Sequence, residues 1–456
     1  MYFNLIKKLA NIDRNHNSRE TWKAFNLLNK FYKGSKLLKF TKPKQINKWE
    51  MIPFWDCKKA ELRNSKNELI VSKKKNNLSV YSFAPKINKE VDFKTLKKHI
   101  LTDSKRPSAT IFHFRNQYRH WNPEWGFSLP YNLFKKLDKK ETYKINIESN
   151  FKKNKGFLQS EYLKKGRKKE TYILIGHFDH PNQVNDGLAG VIAAYETIKR
   201  LKKIKTKYSY LAFASIEMIG SMYYLNKLKK KIKKIKEGLF LTFCGINSNI
   251  VYQKSFFENS LVDKIVENCF LPKKKNKSLY KHRQLIGNDE NIFDSVGFNI
   301  PTGTLLRWPF KEYHTDLDNI KITKKEKIEE MISLNLKIIN IIEKNNKYKA
   351  LYKGVPCLSS NKIKLYLDPT KMSKKKNKVD SKLIKIITSN LTLDEKKYVS
   401  KNHSLLYGLM NNSVRMADGN FSVLDVARKS KLPFFLVLNY LNELKKKNLV
   451  RFLDEN

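Results

Sequence analysis

Three short polar clusters interrupt apolar stretches of the chain, and their residue types are those of metal-assisted hydrolysis. The first is His177-Phe178-Asp179-His180-Pro181, followed by Asn185-Asp186-Gly187. The second is Glu217, and the third is Glu312-Tyr313-His314-Thr315-Asp316. Imidazole and carboxylate are the ligands zinc accepts where thiolates are not used. A catalytic zinc takes about three protein ligands and keeps one position for water. His180, Asp186 and His314 meet that requirement. Glu217 is then free to act as general base. The metal would lower the pKa of its water to about 7, the resulting hydroxide would attack an amide carbonyl, and Glu217 would pass the proton to the leaving amine. Each residue alone has an ordinary reading too. Asp186 could be a helix N-cap, Glu217 an exposed strand end, and each histidine a packed structural residue. Arg307 could clamp a substrate carboxylate or pair internally with Glu312 or Asp316. Tyr313 could donate to a tetrahedral oxyanion or simply pack, and Asp289 could order the metal loop or cap a turn.

These residues inform because of where they fall. TYILIGHF (171–178) is a continuous apolar run, as for a strand covered on both faces. DGLAGVIAAYETIKRLK then reads as a helix. YSYLAFAS, GLFLTFCG and PTGTLLRW read as further buried strands, alternating with helices, and KEKIEEMISLNLKIINIIEK closes the series. Strands alternating with helices predict an α/β sheet with parallel neighbours, and such sheets bind ligands at the C-terminal ends of their strands. All three clusters lie there. Residues 1–33 read as one or two helices, and 40–95 as a small strand-rich module of short alternating runs split by turns. Residues 366–378 read as a basic linker. SVLDVARKSKLPFFLVLNYLNELKKKNLVRFL reads as helix, turn, helix and short strand, a winged-helix pattern. There Ser422 is the expected N-cap, and Pro433 suits the first turn of the second helix.

Composition excludes some classes. With 456 residues, 41% apolar and 12% aromatic, the chain can bury a sizeable core and is too long for one ordinary domain. The formal charge is +51, from 93 Lys+Arg against 42 Asp+Glu, but only 13 are arginines. Base-reading proteins lean on arginine forks, so nucleic acid is the less favoured partner and the lysine runs read as solvated faces. The four cysteines, Cys57, Cys244, Cys269 and Cys357, lie far apart with no CxxC pair, as expected of a reducing, cytoplasmic setting. No secretory signal and no membrane span are expected.

The clusters, taken together, resemble zinc exopeptidases of the leucyl-aminopeptidase and glutamate-carboxypeptidase type. Those show a His-x-Asp strand end, an Asn-Asp-x-x-x-Gly helix start, a Glu-rich strand end and a late Tyr-His-Thr. The counterparts here are His177-Phe178-Asp179, Asn185 to Gly190, Glu217-Met218-Ile219-Gly220-Ser221 and Tyr313-His314-Thr315. Asn288 to Phe293, running on to Gly297-Phe298-Asn299-Ile300-Pro301, is similar to that clan as well. A closer resemblance is to a bacterial group with an aminopeptidase-like domain, an inserted β-rich module and a C-terminal winged helix. Its members read Cys-His-Pro-Ser, Asn-Asp-Asn, Pro-Glu-Thr-Ile-Gly-Ser and Tyr-His-Thr-Ser. Here stand Asp179-His180-Pro181-Asn182, Asn185-Asp186-Gly187, Ile216 to Ser221 and Tyr313-His314-Thr315-Asp316, with Trp125-Gly126-Phe127 similar too. The group is often encoded near surface-polysaccharide genes.

The resemblance implies a zinc-exopeptidase-like mixed α/β sheet flanked by helices. It implies N-terminal helices at 1–38, an inserted β-rich module at 39–97, the aminopeptidase-like domain at 98–365 and a winged helix at 379–456. The two-zinc enzymes carry a second Glu ligand where this chain has Met218, and an Asp ligand where it has Cys244-Gly245, so one zinc is expected. His180 matches the close group and His177 the broader clan; the first is the expected ligand, the second the alternative ligand or a supporting partner. The implied function is a zinc-dependent amide hydrolase acting on a peptide or an aminoacyl or acyl conjugate. The alternative is a non-catalytic binding or regulatory protein that uses the winged helix for DNA or a protein partner. A homo-oligomer is left open.

Overall fold

The computed structural model describes residues 1–273, 278–368 and 378–453, leaving aside the side chains of 273 and 378–380. Residues 369–377, most of the expected basic linker, lie outside that range. The described chain divides by internal contact into two compact units. One is 1–256 with 282–333; the other is 257–281 with 334–456. This grouping cuts the chain elsewhere than the four-part division expected from the sequence.

The first unit is built on a mixed sheet. Seven of its strands are β1 Lys36–Phe40, β2 Phe157–Lys164, β3 Thr171–His177, β4 Ser209–Ser215, β5 Ile235–Leu241, β6 Asn249–Gln253 and β7 Thr302–Trp308. Their order is β1-β2-β4-β3-β5-β7-β6. The middle strands β4, β3, β5 and β7 are mutually parallel, and antiparallel partners close both sides. Apolar runs without alternation became these middle strands, as burial on both faces requires: every residue of β4 is buried, and all of β3 after Thr171. The parallel arrangement places the carboxyl ends of β3 and β4 side by side, with His177 in register with Ser215.

Helix α1 (Tyr2–Ala10) and helix α2 (Arg19–Phe31) precede the sheet, α3 (Leu188–Leu201) follows β3, and α4 (Ile219–Leu228) follows β4. Helix α2 starts at Ser18, whose hydroxyl accepts from Thr21 N. Helix α3 approaches β5 closely: a Cβ at Gly190 would lie 1.9 Å from Leu241 O. Only glycine fits there.

The strand-rich texture at 39–97 does form strands. Phe54–Asn64, Leu69–Ser72 and Ile87–Asp92 belong to a four-stranded antiparallel sheet, with Thr142–Lys152 as the fourth member. The sheet therefore runs past the expected end of the module. Thr142–Lys152 alternates exposed and buried residues, with Tyr143, Ile145, Ile147 and Ser149 turned inward.

In the second unit, Lys347–Ala350 lies between Asp418–Ser422 and Val450–Phe452 in a three-stranded sheet. Helices Val423–Ser430 and Phe434–Lys446 follow in the expected order. Ser422 is the N-cap, in a reciprocal capping box with Asp425. Pro433 sits one residue before the second helix, as its N-cap. On the second helix, half-buried Asn439 donates to Ile387 O at 3.1 Å.

Candidate metal and hydrolase site

The loop from β3 to α3 brings two histidines to one carboxylate. His177 closes the strand, His180 stands three residues on, and Asp186 lies just before the helix. Asp186 Oδ1 accepts from His177 Nε2 at 3.1 Å, and its Oδ2 is 3.8 Å from His180 Nε2. His177, His180 and Asp186 each offer a ligand atom within 4.8 Å of the others, and all three are buried. The third cluster arrives from after β7: His314 Nε2 stands 3.1 Å from Asp186 Oδ2. Asp186 is no N-cap, since Gly187 occupies that place without a side-chain cap.

Charge is distributed unevenly over these groups. Burial opposes protonation of both strand-end histidines. For His180 burial prevails despite Asp186, and its proton affinity is held well below normal. For His177, contacts with Asp179 and Asp186 outweigh burial and hold it well above. Burial also opposes ionisation of Asp186, yet His180, His177 and His314 keep its carboxyl well below the usual range. A neutral imidazole beside an ionised carboxylate is the donor chemistry a divalent cation needs. Asp186 Oδ2 has His314 Nε2 at 3.1 Å and His180 Nε2 at 3.8 Å beside it but no donor in hydrogen-bond alignment, and His180 Nδ1 has no hydrogen-bond partner. Such buried orphans fit a bound cation better than a purely structural network.

Glu217 follows β4 and is half-buried. Its Oε2 accepts from the Tyr118 hydroxyl at 2.5 Å, and its Oε1 from Asn288 Nδ2 at 2.6 Å. Its backbone N–H donates to both oxygens of Asp179, at 3.1 and 3.2 Å. The next residue, Met218, has φ 58° and ψ −63°, and Ile219 N reaches back to Glu217 O at 2.6 Å. That is the positive-φ γ-turn, a rare and strained conformation that over-determined active sites tolerate. Asp289 stabilises it, accepting from Met218 N at 3.1 Å, Ser215 Oγ at 3.0 Å and Ser221 Oγ. Asp289 therefore orders the turn that carries Glu217. Burial pushes its carboxyl up to about 7, and that of the adjacent Glu290 up to about 8.

Behind the cluster lies a layer of buried polar residues. Asp318 accepts from Asn185 N at 2.9 Å and Asp186 N at 2.8 Å, which fixes the Asn-Asp turn. Burial pushes the Asp318 carboxyl up to about 7. Asp179 is 2.6 Å from His16 Nδ1, with both side chains fully buried. Burial works against its ionisation, but His16 and His177 hold the carboxyl well below normal. Aromatic rings wall the imidazoles: Phe112 stands 4.9 Å from His180, and Phe114 5.0 Å from His314. His314 adopts φ 55°, its ring stacked on Tyr313 at 3.8 Å. Residues 110–112 tether that loop, with Phe112 N donating to His314 O at 2.9 Å and Thr110 N to Asp316 Oδ1 at 2.9 Å.

The structure thus brings together His177, His180, Asp186 and His314, with Glu217 and Tyr313 beside them. It does not bring Arg307 into the group. That guanidinium is buried and donates to Cys244 O, Ser248 O, Lys327 O and Glu330 Oε2, the last at 2.7 Å. Its acidic partner is Glu330, neither Glu312 nor Asp316. Tyr313 is half-buried, packed between His314 and Phe243. Burial, with Asp186 and Glu217 nearby, raises its proton affinity far above normal. Sequence reasoning missed Tyr118, His16, Arg14 and Asp318. Tyr118 is one tyrosine of 22 and belongs to no motif. His16 carried a faint signal, sitting in the fully polar run Asp13 to Ser18 between two amphipathic helices. All six residues of that run are buried.

The chain belongs to the family described as "Domain of unknown function (DUF4910)", whose model matches residues 3–345. A Clostridium acetobutylicum protein named "Putative polysaccharide biosynthesis protein with aminopeptidase-like domain" is 31% identical over 362 residues, covering 76% of this chain and 78% of that one. The crystal structure of a "putative peptidase" from Clostridium acetobutylicum has a TM-score of 0.79 at 26% identity, over 99% of this chain and 96% of its own. BSAP, a zinc aminopeptidase from Bacillus subtilis, has a TM-score of 0.54 at 13% identity, over 75% of this chain and 94% of its own. A peptidase M28 precursor from Shewanella amazonensis has a TM-score of 0.52 at 12% identity, over 75% and 92%. The last two show a shared fold. Large mixed sheet and flanking helices are thus those of the aminopeptidase-like proteins. Among the described residues no helix is long and apolar enough to cross a membrane.

Proposed function

We propose that this DUF4910 family member is a zinc-dependent aminopeptidase-like hydrolase that cleaves the amide bond of a peptide or an aminoacyl or acyl conjugate. The observation that carries this reading is the meeting of three imidazoles on Asp186, beside a glutamate whose carboxylate is aimed by Tyr118 and Asn288. Its aminopeptidase-like fold supports it, as does the zinc that the similar Bacillus subtilis enzyme is named for. His180, Asp186 and His314 would hold one zinc. Asp186 Oδ1 is taken up by His177 Nε2 at 3.1 Å, which suits His177 as an orienting partner of the carboxylate. When bound, zinc supplies a Lewis acid and an acidified water.

The protein's own groups do the rest. Glu217 takes the proton of the attacking water and returns it to the leaving nitrogen. Tyr118 and Asn288 hold both of its oxygens, so the carboxylate cannot rotate away. Tyr313, held in its neutral form, has a proton to donate to the developing oxyanion. Phe112 and Phe114 exclude water from the imidazoles. Met218, in its γ-turn, offers no oxygen, which favours one metal over two. The C-terminal helices and strands at 379–456 we read as a winged helix on their order alone. The use of Asn439 inside the fold speaks for a packing role over DNA reading. The unpaired cysteines suit a cytoplasmic setting.

The test is metal analysis with a substrate panel. Purified wild type should carry close to one zinc per chain and cleave a member of an aminoacyl-amide and acyl-sugar-amide panel. Glu217→Gln should keep the zinc and lose turnover by about 10²-fold or more. Asp186→Asn should lose the zinc. A zinc-free wild type, or a Glu217→Gln protein with full turnover, would refute the reading.

A further inference from the structure

The run Asp13 to Ser18 reaches the loop that carries His180 from about 165 residues earlier in the chain. Arg14 is fully buried. Its Nε donates to Phe178 O at 3.2 Å, while Nη1 and Nη2 donate to Leu9 O and Gln183 O. Two of these carbonyls, at 178 and 183, bracket His180. Two residues on, His16 reaches Asp179 in the same loop at 2.6 Å. Asn17, next along, is tied elsewhere by Ile52 O and Gly156 O, so the strap itself is held. Burying a guanidinium against carbonyls alone is expensive, because each carbonyl offers only a partial charge. Burial indeed pulls Arg14 down to about 10, with Asp318, Asp13 and Asp179 close enough to offset part of the cost. A rigid fork that spans two carbonyls five residues apart fixes the width of the loop between them. The other members of the cluster have independent supports. His177 ends a strand, the Asn185-Asp186 turn is fixed by Asp318, and His314 is tethered through Phe112. The loop that carries His180 is held at its two ends, by Phe178 N on Ser215 O at 2.9 Å and Val184 N on Asp318 O at 3.3 Å, and through Asn182, whose side chain accepts from Asn77 at 2.7 Å; among the described residues the Arg14 fork is the one side chain that joins the carbonyls on either side of His180.

We infer that Arg14 is a positioning residue for metal binding: its fork on Phe178 O and Gln183 O aims His180 at the ion. The inference rests on the zinc reading above, with His180 as ligand.

A thermodynamic cycle tests it. Zinc affinity would be measured by chelator competition on wild type, Arg14→Lys, His180→Ala and the double variant, as full-length chains. A point charge in place of the fork should weaken zinc binding about 10- to 100-fold, as losses in the layer behind a ligand do. The double variant should bind no more weakly than His180→Ala, because both changes remove the same ligand. Amide exchange over 178–186 should rise in Arg14→Lys while β3 and β4 stay protected. If Arg14→Lys does not fold, Arg14→Gln takes its place in the cycle, and the same non-additivity is expected. Unchanged affinity in both variants, or losses that simply multiply, would overturn the inference and leave the zinc reading intact. Should His180→Ala bind zinc as wild type does, Arg14 cannot act through it and the inference falls. A wild type without zinc removes the reading and the inference together.

Discussion

Replacing Gly190 with alanine would test whether the sheet, rather than the loops, sets the site. The glycine lies in the first turn of α3, four residues after Asp186. A Cβ there would stand 1.9 Å from Leu241 O and 2.6 Å from Leu241 C on β5. A tolerable C···O approach is about 3.3 Å, so helix and strand must part by about 1.4 Å. Neither partner can yield cheaply. Both are backbone, and β5 is held between β3 and β7. Overpacking of this kind costs about 1–3 kcal/mol, and more where main chain must move. The better helix propensity of alanine returns at most about 1 kcal/mol. The expected net loss is therefore about 2 kcal/mol or more, read from the urea midpoint of the first unit at unchanged m. Because α3 begins directly after Asp186, zinc affinity should fall in the same variant. A Gly190→Ala protein within about 0.5 kcal/mol of wild type, binding zinc normally, would refute the argument that close packing of α3 on β5 places the carboxylate.

Two further outcomes follow from the buried polar groups. Tyr118→Phe removes the donor to Glu217 Oε2; turnover should drop about tenfold or more with zinc content unchanged, and an equal rate would mean that the hydroxyl does not aim the base. Glu290 has a folded value of about 8, far above an unfolded carboxyl, so the folded state binds the extra proton and stability falls as pH rises from about 4 to 8. Its Oε2 is buried without a partner, whereas Oε1 accepts from Asn288 N. Glu290→Gln should accordingly be more stable than wild type by about 1–3 kcal/mol at pH 8.5 and equal to it near pH 4.5; thermal unfolding at both pH values checks this.

The sheet was legible because its strands carry their own signal. Runs such as YILIG and YLAFA are apolar throughout, which a strand covered on both faces requires, and the polar clusters end them where parallel strands put ligands. The meeting of His180, Asp186 and His314 followed from that placement. What could not be read was contact across the chain. Thr142–Lys152 alternates as a strand should, but nothing local says that it pairs with Phe54–Asn64 some 80 residues earlier. Arg307 looked free to meet substrate because it stands close before Tyr313. Its acidic partner, Glu330, comes from the helix that follows the loop, on the far side of the site residues in sequence. Tyr118 and His16 become functional candidates only through distances to Glu217 and Asp179, and single residues in loops leave no periodic trace.

The strap that grips the metal loop also fixes a timetable. His16 and Arg14 leave the ribosome early, and His314 and Asp318 close to three hundred residues later. At about 5–20 residues per second that is a wait of roughly 15 to 60 seconds. Arg14 and His16 meet their partners at Phe178, Asp179 and Gln183 after about 165 residues, but Asp186 lacks His314, and its turn lacks Asp318, until the end of that wait. On the one-zinc reading proposed above, metal loading would be a late event of biosynthesis, and a ribosome stalled before residue 314 would hold a chain whose sheet is largely made and whose proposed ion site still lacks a ligand.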